Sequence, residues 1–496
     1  MTFLSLQQFW HSRPAFYLGL HLLLGTSFVY FPHYALALPL LLLWGPFIKR
    51  PTKILQGVLF LALSCAYAYY RYPNQKIPEN AEGKGYFSIS CLKSYQSPFH
   101  RNSLSYQGTL HFFETKEKES FFDLPCTLYC DDEVPADCDY LIEGQLIEKG
   151  NRRYVLKPLK GLPWKKVPHT FSFAEMRYRM KQKLRAVLKK YTSDTKALSF
   201  LSALATGDIT ERTLNFEFKQ VGLLHILAIS GFQFALIAAF FGFFLRQFLS
   251  HKTSLFVLLA ILSFYYFFLG PSPSVQRSYI AVLLFFIGNF LKISSSGLNL
   301  LGMGLIIEIL FDPLLVINLG FELTFLCTAA ILLFYRPCLK IFSILLPKRK
   351  YRDVMSMNLT NKHGYLLSSW IRGALAINTA VHVVSLPALL FLFHKMSLLS
   401  LVYNLFFPFL STLMLFLLII SLLIFPLCPP LGNLIHQLNV LITSFTLRLT
   451  SDPPIAFNFF VRVKTFSFTW LVLSLMACLI LGILLQKTID QKQSES

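Results

Sequence analysis

Residues Ala203 to Phe240 read ALATGDITERTLNFEFKQVGLLHILAISGFQFALIAAF, a polar amphipathic approach set directly against a long apolar run that Ser230 and Gly231 interrupt. An ordinary membrane span is not built this way. Small residues recur four apart at Gly231, Ala235 and Ala239, and in parallel at Ala238 and Gly242, a spacing that lets another helix backbone come close. His225, Ser230 and Gln233 add polar atoms at bilayer depth, where each needs a partner inside the protein or a wet cavity.

Outward from that stretch the chain is apolar in the same manner. Of its 496 residues 54% are hydrophobic, and about ten runs approach the length that spans a bilayer. This excludes a soluble globular protein. It predicts a polytopic α-helical membrane protein of about 10–12 spans, near 14–31, 34–48, 54–70, 221–246, 254–270, 274–291, 297–311, 314–335, 371–393, 399–425, 431–449 and 467–486. The weakest is 431–449, whose His436, Gln437, Asn439 and Arg448 suit an interfacial or cavity-lining helix. His11 and Arg13 ahead of an apolar stretch, with Ala35-Leu36-Ala37 after it, imitate a cleavable signal; the apolar sequence resumes at once through LPLLLLWGPFI, as a membrane hairpin would.

Orientation follows from the basic loops. Lys49, Arg50 and Lys53, then Arg246 with Lys252, then Lys292, then the loop from Arg336 to Arg372 fall on one side, which the positive-inside tendency makes cytoplasmic. The polar region from about 71 to 195 then lies outside. The expected organisation is N-terminal membrane helices over 1–70, an extracytoplasmic β domain over 71–170, a basic amphipathic helix and connector over 171–220, a membrane core over 221–486 and a polar tail over 487–496.

Within the polar region GYFSISCLKSY, SLSYQGTLHFFET, ESFFDLPCTLYC and DYLIEGQLIEKGNRRYVLKPL read as aromatic-rich strands, with a hairpin turn at Lys149-Gly150-Asn151. Several short strands in so little chain predict a small closed barrel, OB-like because that architecture presents a face for oligonucleotides. The following FAEMRYRMKQKLRAVLKKY is an amphipathic helix with a basic face.

From Arg152 to Lys190 there are thirteen Lys or Arg against one acid, Glu175. Placed outside, they escape the cytoplasmic bias. Arg152, Arg153, Lys157, Lys160, Lys165 and Lys166 would form a phosphate-binding track, with Tyr140, Tyr154 and Trp164 available to stack bases; a helix snorkelling to anionic headgroups and a solvated face is the other reading. Cys91, Cys126, Cys130 and Cys138 lie in the same polar region. In an oxidising compartment they suit one or two disulfides, with unpaired thiols the next reading and a metal site the least, because the spacing fits no known ligand pattern. Cys65, Cys327, Cys338, Cys428 and Cys478 sit in or beside apolar runs as packing residues.

In the membrane core Arg277 stands in GPSPSVQRSYIAVLLFFIGNF, close enough to a helix end to snorkel or to face a pore mouth. Asn289, Glu308 and Glu322 are further intramembrane polar groups, suited to packing or to a pathway rather than to catalysis. Asp312-Pro313, Pro387 and the Asn404 to Pro408 pair break helices, which membranes tolerate only where the break is buried or lines a cavity.

These motifs together resemble the membrane core of the ComEC family of competence proteins. PSVQRS is similar to the family's PSxxRA element; Gly320, Phe321, Leu323 and Phe325 after Asp312-Pro313 are similar to its GFxLSF run; and the resemblance extends over about 196–425, more weakly to the barrel. It implies an inner-membrane channel that passes single-stranded DNA into the cytoplasm during natural transformation, with His225, Ser230, Gly231, Gln233, Arg277, Gly320, Glu322 and Asn404 in the pore or core motifs. It also implies an external DNA receptor, uptake-pilus components and a cytoplasmic ATPase as partners, and leaves a homo-oligomer open. Two departures matter. Where the family has His after its SGL, this chain has Gly231-Phe232-Gln233, and Gln cannot titrate. The HxHxDH of the metallo-β-lactamase-like domain that many members carry does not occur among the twelve histidines, nor does GxxxxGK[ST] occur for a nucleotide. The expectation is therefore transport without catalysis, with no cofactor and no metal. The alternatives are a transporter of ions or small solutes, or a non-transporting membrane assembly protein.

Overall fold

The computed structural model of the protein describes residues 3–73, 77–78, 80–95, 103–130, 133–150, 152–159, 161–227, 229, 231–293, 296–453 and 459–494. In chain order, α1 (Phe3–His11), α2 (Pro14–Tyr30), α3 (Leu38–Trp44) and α4 (Pro51–Arg71) precede the strands β1 (Ala81–Tyr95), β2 (Ser103–Thr115), β3 (Ser120–Cys130), β4 (Tyr140–Glu148), β5 (Tyr154–Pro158) and β6 (Lys165–Lys166). Next come α5 (Ala174–Tyr191), α6 (Thr195–Thr206), α7 (Arg212–Gln220), α8 (Leu224–Leu227), α9 (Gly231–Phe248), α10 (His251–Leu269), α11 (Pro273–Leu291), α12 (Gly297–Phe311), α13 (Leu319–Leu345), α14 (Tyr351–Met355) and α15 (Leu359–Phe393). The chain closes with β7 (Lys395–Ser397), α16 (Leu399–Ile424), α17 (Pro429–Ser451), β8 (Phe460–Arg462) and α18 (Phe468–Ser494).

Among the described residues seven helices are long and apolar enough to cross a membrane, namely α4, α10, α11, α13, α15, α16 and the Phe468–Lys487 part of α18, and shorter apolar helices lie at Pro14–Tyr30, Tyr34–Phe47, Gln233–Phe248 and Gly297–Phe311. This is a polytopic membrane protein carrying a barrel, as its sequence predicts. Its compact units are two: residues 1–71, 280–409 and 454–496, and residues 72–279 and 410–453.

The barrel belongs to the second unit. Its strands run in the order β1-β2-β3-β5-β4, and β4 returns to pair with β1, so the sheet closes on itself. Closure leaves no long edge open to another chain. β3 and β5 pair in parallel while the other ladders are antiparallel, an OB-like arrangement. Alternation supplies the core: Phe87, Tyr106, Leu110, Phe113, Leu128, Leu146 and Leu156 are all at 0% exposure. Gly150 takes the positive φ of 83° that its hairpin needs.

In the first unit α2, α4 and α12 pack together, and Gly302 lets α12 meet α2 so closely that a β-carbon there would collide with the backbone of Phe16. A second group is α13, α15 and α18. Pro337 lies inside α13 and Pro387 inside α15, so each withholds the N–H that would have bonded the carbonyl four residues earlier. Those carbonyls belong to Leu333 and Val383. Gln486 of α18 donates from Nε2 to Leu332 O at 2.7 Å and Leu333 O at 3.4 Å, and Cys478 Sγ lies 3.8 Å from Val383 O. One helix therefore repairs both breaks.

α17 is not among the helices long and apolar enough to cross a membrane. It buries a polar stripe. His436 Nε2 meets Thr192 Oγ1 at 2.9 Å, Asn439 Nδ2 donates to Met414 O at 3.0 Å, and Ser444 Oγ donates to Asp194 Oδ2 at 2.8 Å.

Candidate nucleic-acid interface

The interrupted stretch that decides the fold is not one continuous span. α8 ends at Leu227 and α9 begins at Gly231, because a backbone dense in small and polar residues is broken cheaply there. At the start of α9, Gly231 faces the first turns of α11. A β-carbon on Gly231 would lie 2.7 Å from Arg277 Nη2 and 2.9 Å from Ser278 Oγ. The guanidinium thus sits against the N-terminal end of a helix, where the backbone dipole is already positive. Two positive features converge on one spot, and a phosphate oxygen would complement both. Aromatic side chains pack nearby on the same helices: Phe234 against Tyr265 at 5.5 Å, and Tyr266 stacked on Tyr279 at 4.5 Å, with Ser263 Oγ 2.7 Å from Tyr279 OH.

The expected small-residue seam is only partly used. Gly231 takes the guanidinium and Gly242 approaches the Leu258 side chain, but Ala235 and Ala239 are exposed. Gln233 is buried at 3% exposure, and His225 is exposed on α8. Ser230 and Lys160 lie outside the described residues. Gly320, Glu322 and Asn404 belong to the other unit. Gly320 N is bonded by Asn318 Oδ1 in the cap of α13, Glu322 is exposed in the first turn of that helix, and Asn404 precedes Pro408 within α16 with its Oδ1 unpaired.

Of the basic track, Arg153, Lys157, Lys165 and Lys166 are exposed, while Arg152 is half-buried and donates to Tyr72 O at 2.8 Å. β5 and β6 follow one another along β4, with Lys157 opposite Gln145, Lys165 opposite Leu141 and Lys166 opposite Tyr140. Lys157 and Lys165 therefore share the outer face beside β4, while Lys166, the next residue of β6, takes the opposite phase and pairs with Asp137 at 3.6 Å. The stacking role expected of Tyr140 and Tyr154 is overturned: at 1% and 5% exposure both rings fill the barrel core, and Trp164 packs edge-on against Tyr106 and Tyr140. Their alternation phase points inward. The exposed barrel aromatics are Phe112, Phe122 and Tyr129 on β2 and β3, with Phe112 and Phe122 directly paired.

Several cations of α5 are structural instead. Asp208, 6% exposed, accepts from Lys181 Nζ at 3.0 Å, with Arg185 Nη2 at 3.8 Å and Lys93 Nζ at 4.0 Å. Lys181 Nζ also donates to Leu269 O at 2.8 Å. Burial pulls the Lys181 ammonium below its ordinary range, and Asp208 opposes that shift. Asp208 was not singled out by sequence; the only hint was an acid within a TGD turn, where Gly207 at φ 73° ends α6.

None of the nine cysteines is disulfide-bonded in this structure, so the pairing expected in the barrel is not seen there. The sheet keeps three of the four barrel thiols apart. Cys91 on β1 pairs with Gln107, whose other neighbour is Thr127 on β3, so β2 separates Cys91 from the β3 thiols by about 9.5 Å, more than a disulfide spans. Cys126 and Cys130 stand four residues apart on one strand, roughly 13 Å. Burial pushes the Cys126 thiol up to about 12 and raises that of Cys138 as well. Among the described residues no group of three or more His, Cys, Asp or Glu is placed to hold a metal ion.

Residues 204–488 match the family model described as Competence protein, more than half of the chain. The chain belongs to the competence protein family. This competence-family chain is 24% identical over 208 residues to ComE operon protein 3 of Bacillus subtilis (strain 168), an alignment covering 41% of the chain and 23% of that relative's length. No solved structure matches it. The junction of Gly231 with Arg277 falls inside the family match, as does Asp208, whereas its partners Lys93, Lys181 and Arg185 and the barrel precede it.

Proposed function

We propose that the protein is an inner-membrane channel that admits single-stranded DNA to the cytoplasm during natural transformation. The barrel collects the strand outside, and the Arg277–Gly231 junction receives its phosphates at the membrane core. The observation that carries this reading is the pairing of a guanidinium with a helix N-terminus inside the competence-family region. Membership in that family supports DNA as the polyanion.

The chemistry is binding and conduction. A single strand is a line of phosphates whose condensed counterions are released when lysines replace them. Lys157 and Lys165 offer two steps of such a line along β4, and Phe112, Phe122 and Tyr129 offer exposed rings for bases. Farther in, Arg277 and the start of α9 bind each arriving phosphate weakly enough to release it, as conduction requires. Movement takes its energy from partners: an external DNA receptor and uptake pilus, and a cytoplasmic ATPase.

The test is uptake of labelled DNA by a deletion strain carrying wild-type protein or Arg277→Ala at equal protein level. Loss of uptake with Arg277→Ala supports the reading; undiminished uptake removes Arg277 from the pathway.

A further inference from the structure

Between α5 and α6 lies an open cleft of about 290 Å³, lined by Gln182, Arg185, Lys189, Ser199, Ser202 and Thr210, with Ala186 and Leu198 as its apolar walls. The lining follows from helical spacing. Gln182, Arg185 and Lys189 recur at three and four residues on one face of α5, and Ser199 and Ser202 do so on α6. None of the three hydroxyls has a hydrogen-bond partner among the described residues, so each can still donate. The charge is unbalanced too. Asp208, the carboxylate beside the cleft, is shared by Lys93, Lys181 and Arg185 and is held most closely by Lys181. Arg185 reaches that carboxylate at 3.8 Å and donates from Nη2 to Asp208 O at 3.4 Å, while its Nε stays unpartnered among the described residues, and Lys189 is exposed. Glu211, next to Thr210, accepts instead from Thr213 Oγ1 at 2.7 Å. An exposed lysine, an arginine whose Nε has no partner among the described residues, and three hydroxyls around one small concavity are the donor set of a phosphate-ester site.

The surroundings say which phosphate. α5 packs on the end of the candidate span α10: Phe173 meets Phe267 at 5.3 Å, the Arg177 guanidinium lies 5.7 Å from the same ring, and Lys181 bonds the last carbonyl of that helix, Leu269 O. The end of a span is where lipid headgroups lie, and basic side chains reach that layer while apolar neighbours meet the acyl chains. Ala186 and Leu198 supply such neighbours in the wall of the cleft itself. A concavity of this size suits one phosphate with its ester, not a continuing strand.

We propose that this cleft binds the phosphodiester headgroup of an anionic phospholipid. The claim is independent of DNA conduction, since it concerns a different surface and a different ligand. It is tested on the purified full chain in detergent, titrated with short-chain phosphatidylglycerol, short-chain phosphatidylcholine, inorganic phosphate and an oligo-dT strand. The expected result is that phosphatidylglycerol binds about tenfold more tightly than phosphatidylcholine, and that Arg185→Gln and Lys189→Gln each weaken it about tenfold, as loss of one charge-assisted hydrogen bond would. Arg185→Gln also disturbs the Asp208 cluster; Lys189→Gln touches nothing in it and keeps the test decisive if the first variant folds poorly. Equal binding of the two lipids, or wild-type affinity in Lys189→Gln, overturns the proposal. So does displacement of phosphatidylglycerol by inorganic phosphate or oligo-dT at a lower concentration than phosphatidylglycerol itself requires, which would make the source a free phosphate or the DNA strand.

Discussion

The guanidinium of Arg277 occupies the space that a β-carbon on residue 231 would need, its Nη2 lying 2.7 Å from that position. Glycine there is a vacancy kept for a cation. Gly231→Ala should therefore leave the helix intact, since alanine favours helix over glycine by roughly 0.5–1 kcal/mol, while pushing the flexible end of Arg277 away. We expect DNA uptake to fall about tenfold at unchanged protein level, the effect of about 1.4 kcal/mol at one binding step. Uptake assays with immunoblots of membrane fractions check this.

The lysine line beside β4 predicts a salt signature. Replacing Lys157 and Lys165 together by glutamine should weaken single-strand binding by the full chain and reduce the slope of log affinity against log salt by about 1.4, at roughly 0.7 per phosphate contact. A filter-binding series across salt concentrations reads both quantities. An unchanged slope would take those lysines out of the interface.

Asp208 is the most consequential acid found. Asp208→Asn leaves Lys181, 4% exposed, without its carboxylate, and breaking a buried pair by removing one partner costs about 3 to 5 kcal/mol. The thermal midpoint in detergent should drop sharply. Lys166→Gln, which removes an exposed pair with Asp137 at 3.6 Å, should barely move it.

Gln486 and Pro337 form a coupled pair. Gln486→Leu removes the donor that covers Leu333 O and should destabilise by about 1 kcal/mol. In a Pro337→Ala background the alanine N–H bonds that carbonyl within the helix, so Gln486→Leu should cost much less. A double-mutant cycle on thermal stability measures the difference.

Tyr86 gives a pH dependence. Its hydroxyl donates to Asp139 Oδ2 at 2.6 Å, and that bond, with burial, pushes the phenol up to about 12. The folded state holds the proton more tightly than the unfolded chain, so the stabilisation is complete below the ordinary phenol value of about 10 and is lost as pH rises toward 12. The stability difference between wild type and Tyr86→Phe, followed by thermal unfolding, should be constant below pH 10 and shrink above it.

Local patterns were legible because they are local. The strands over 85–95, 103–115 and 139–159, the turn at Gly150 and most apolar spans follow from alternation, turn chemistry and hydropathy, which neighbouring residues set between them. Pairings distant in sequence were not. The parallel ladder of Cys126 with Tyr154 decides where the thiols lie, and no spacing announces it. The inward phase of Tyr140 and Tyr154 depends on barrel closure. Asp208 was hidden because its partners, Lys93, Lys181 and Arg185, come from β1 and α5. Arg277 was visible as a cation in an apolar run; its place against Gly231 was not.

The most direct measurement is DNA uptake in a deletion strain complemented with wild type, Arg277→Ala, Arg277→Lys and Gly231→Ala at matched membrane levels. Uptake abolished in Arg277→Ala, partly kept in Arg277→Lys and reduced in Gly231→Ala is the predicted pattern. Wild-type uptake in Arg277→Ala would contradict the account.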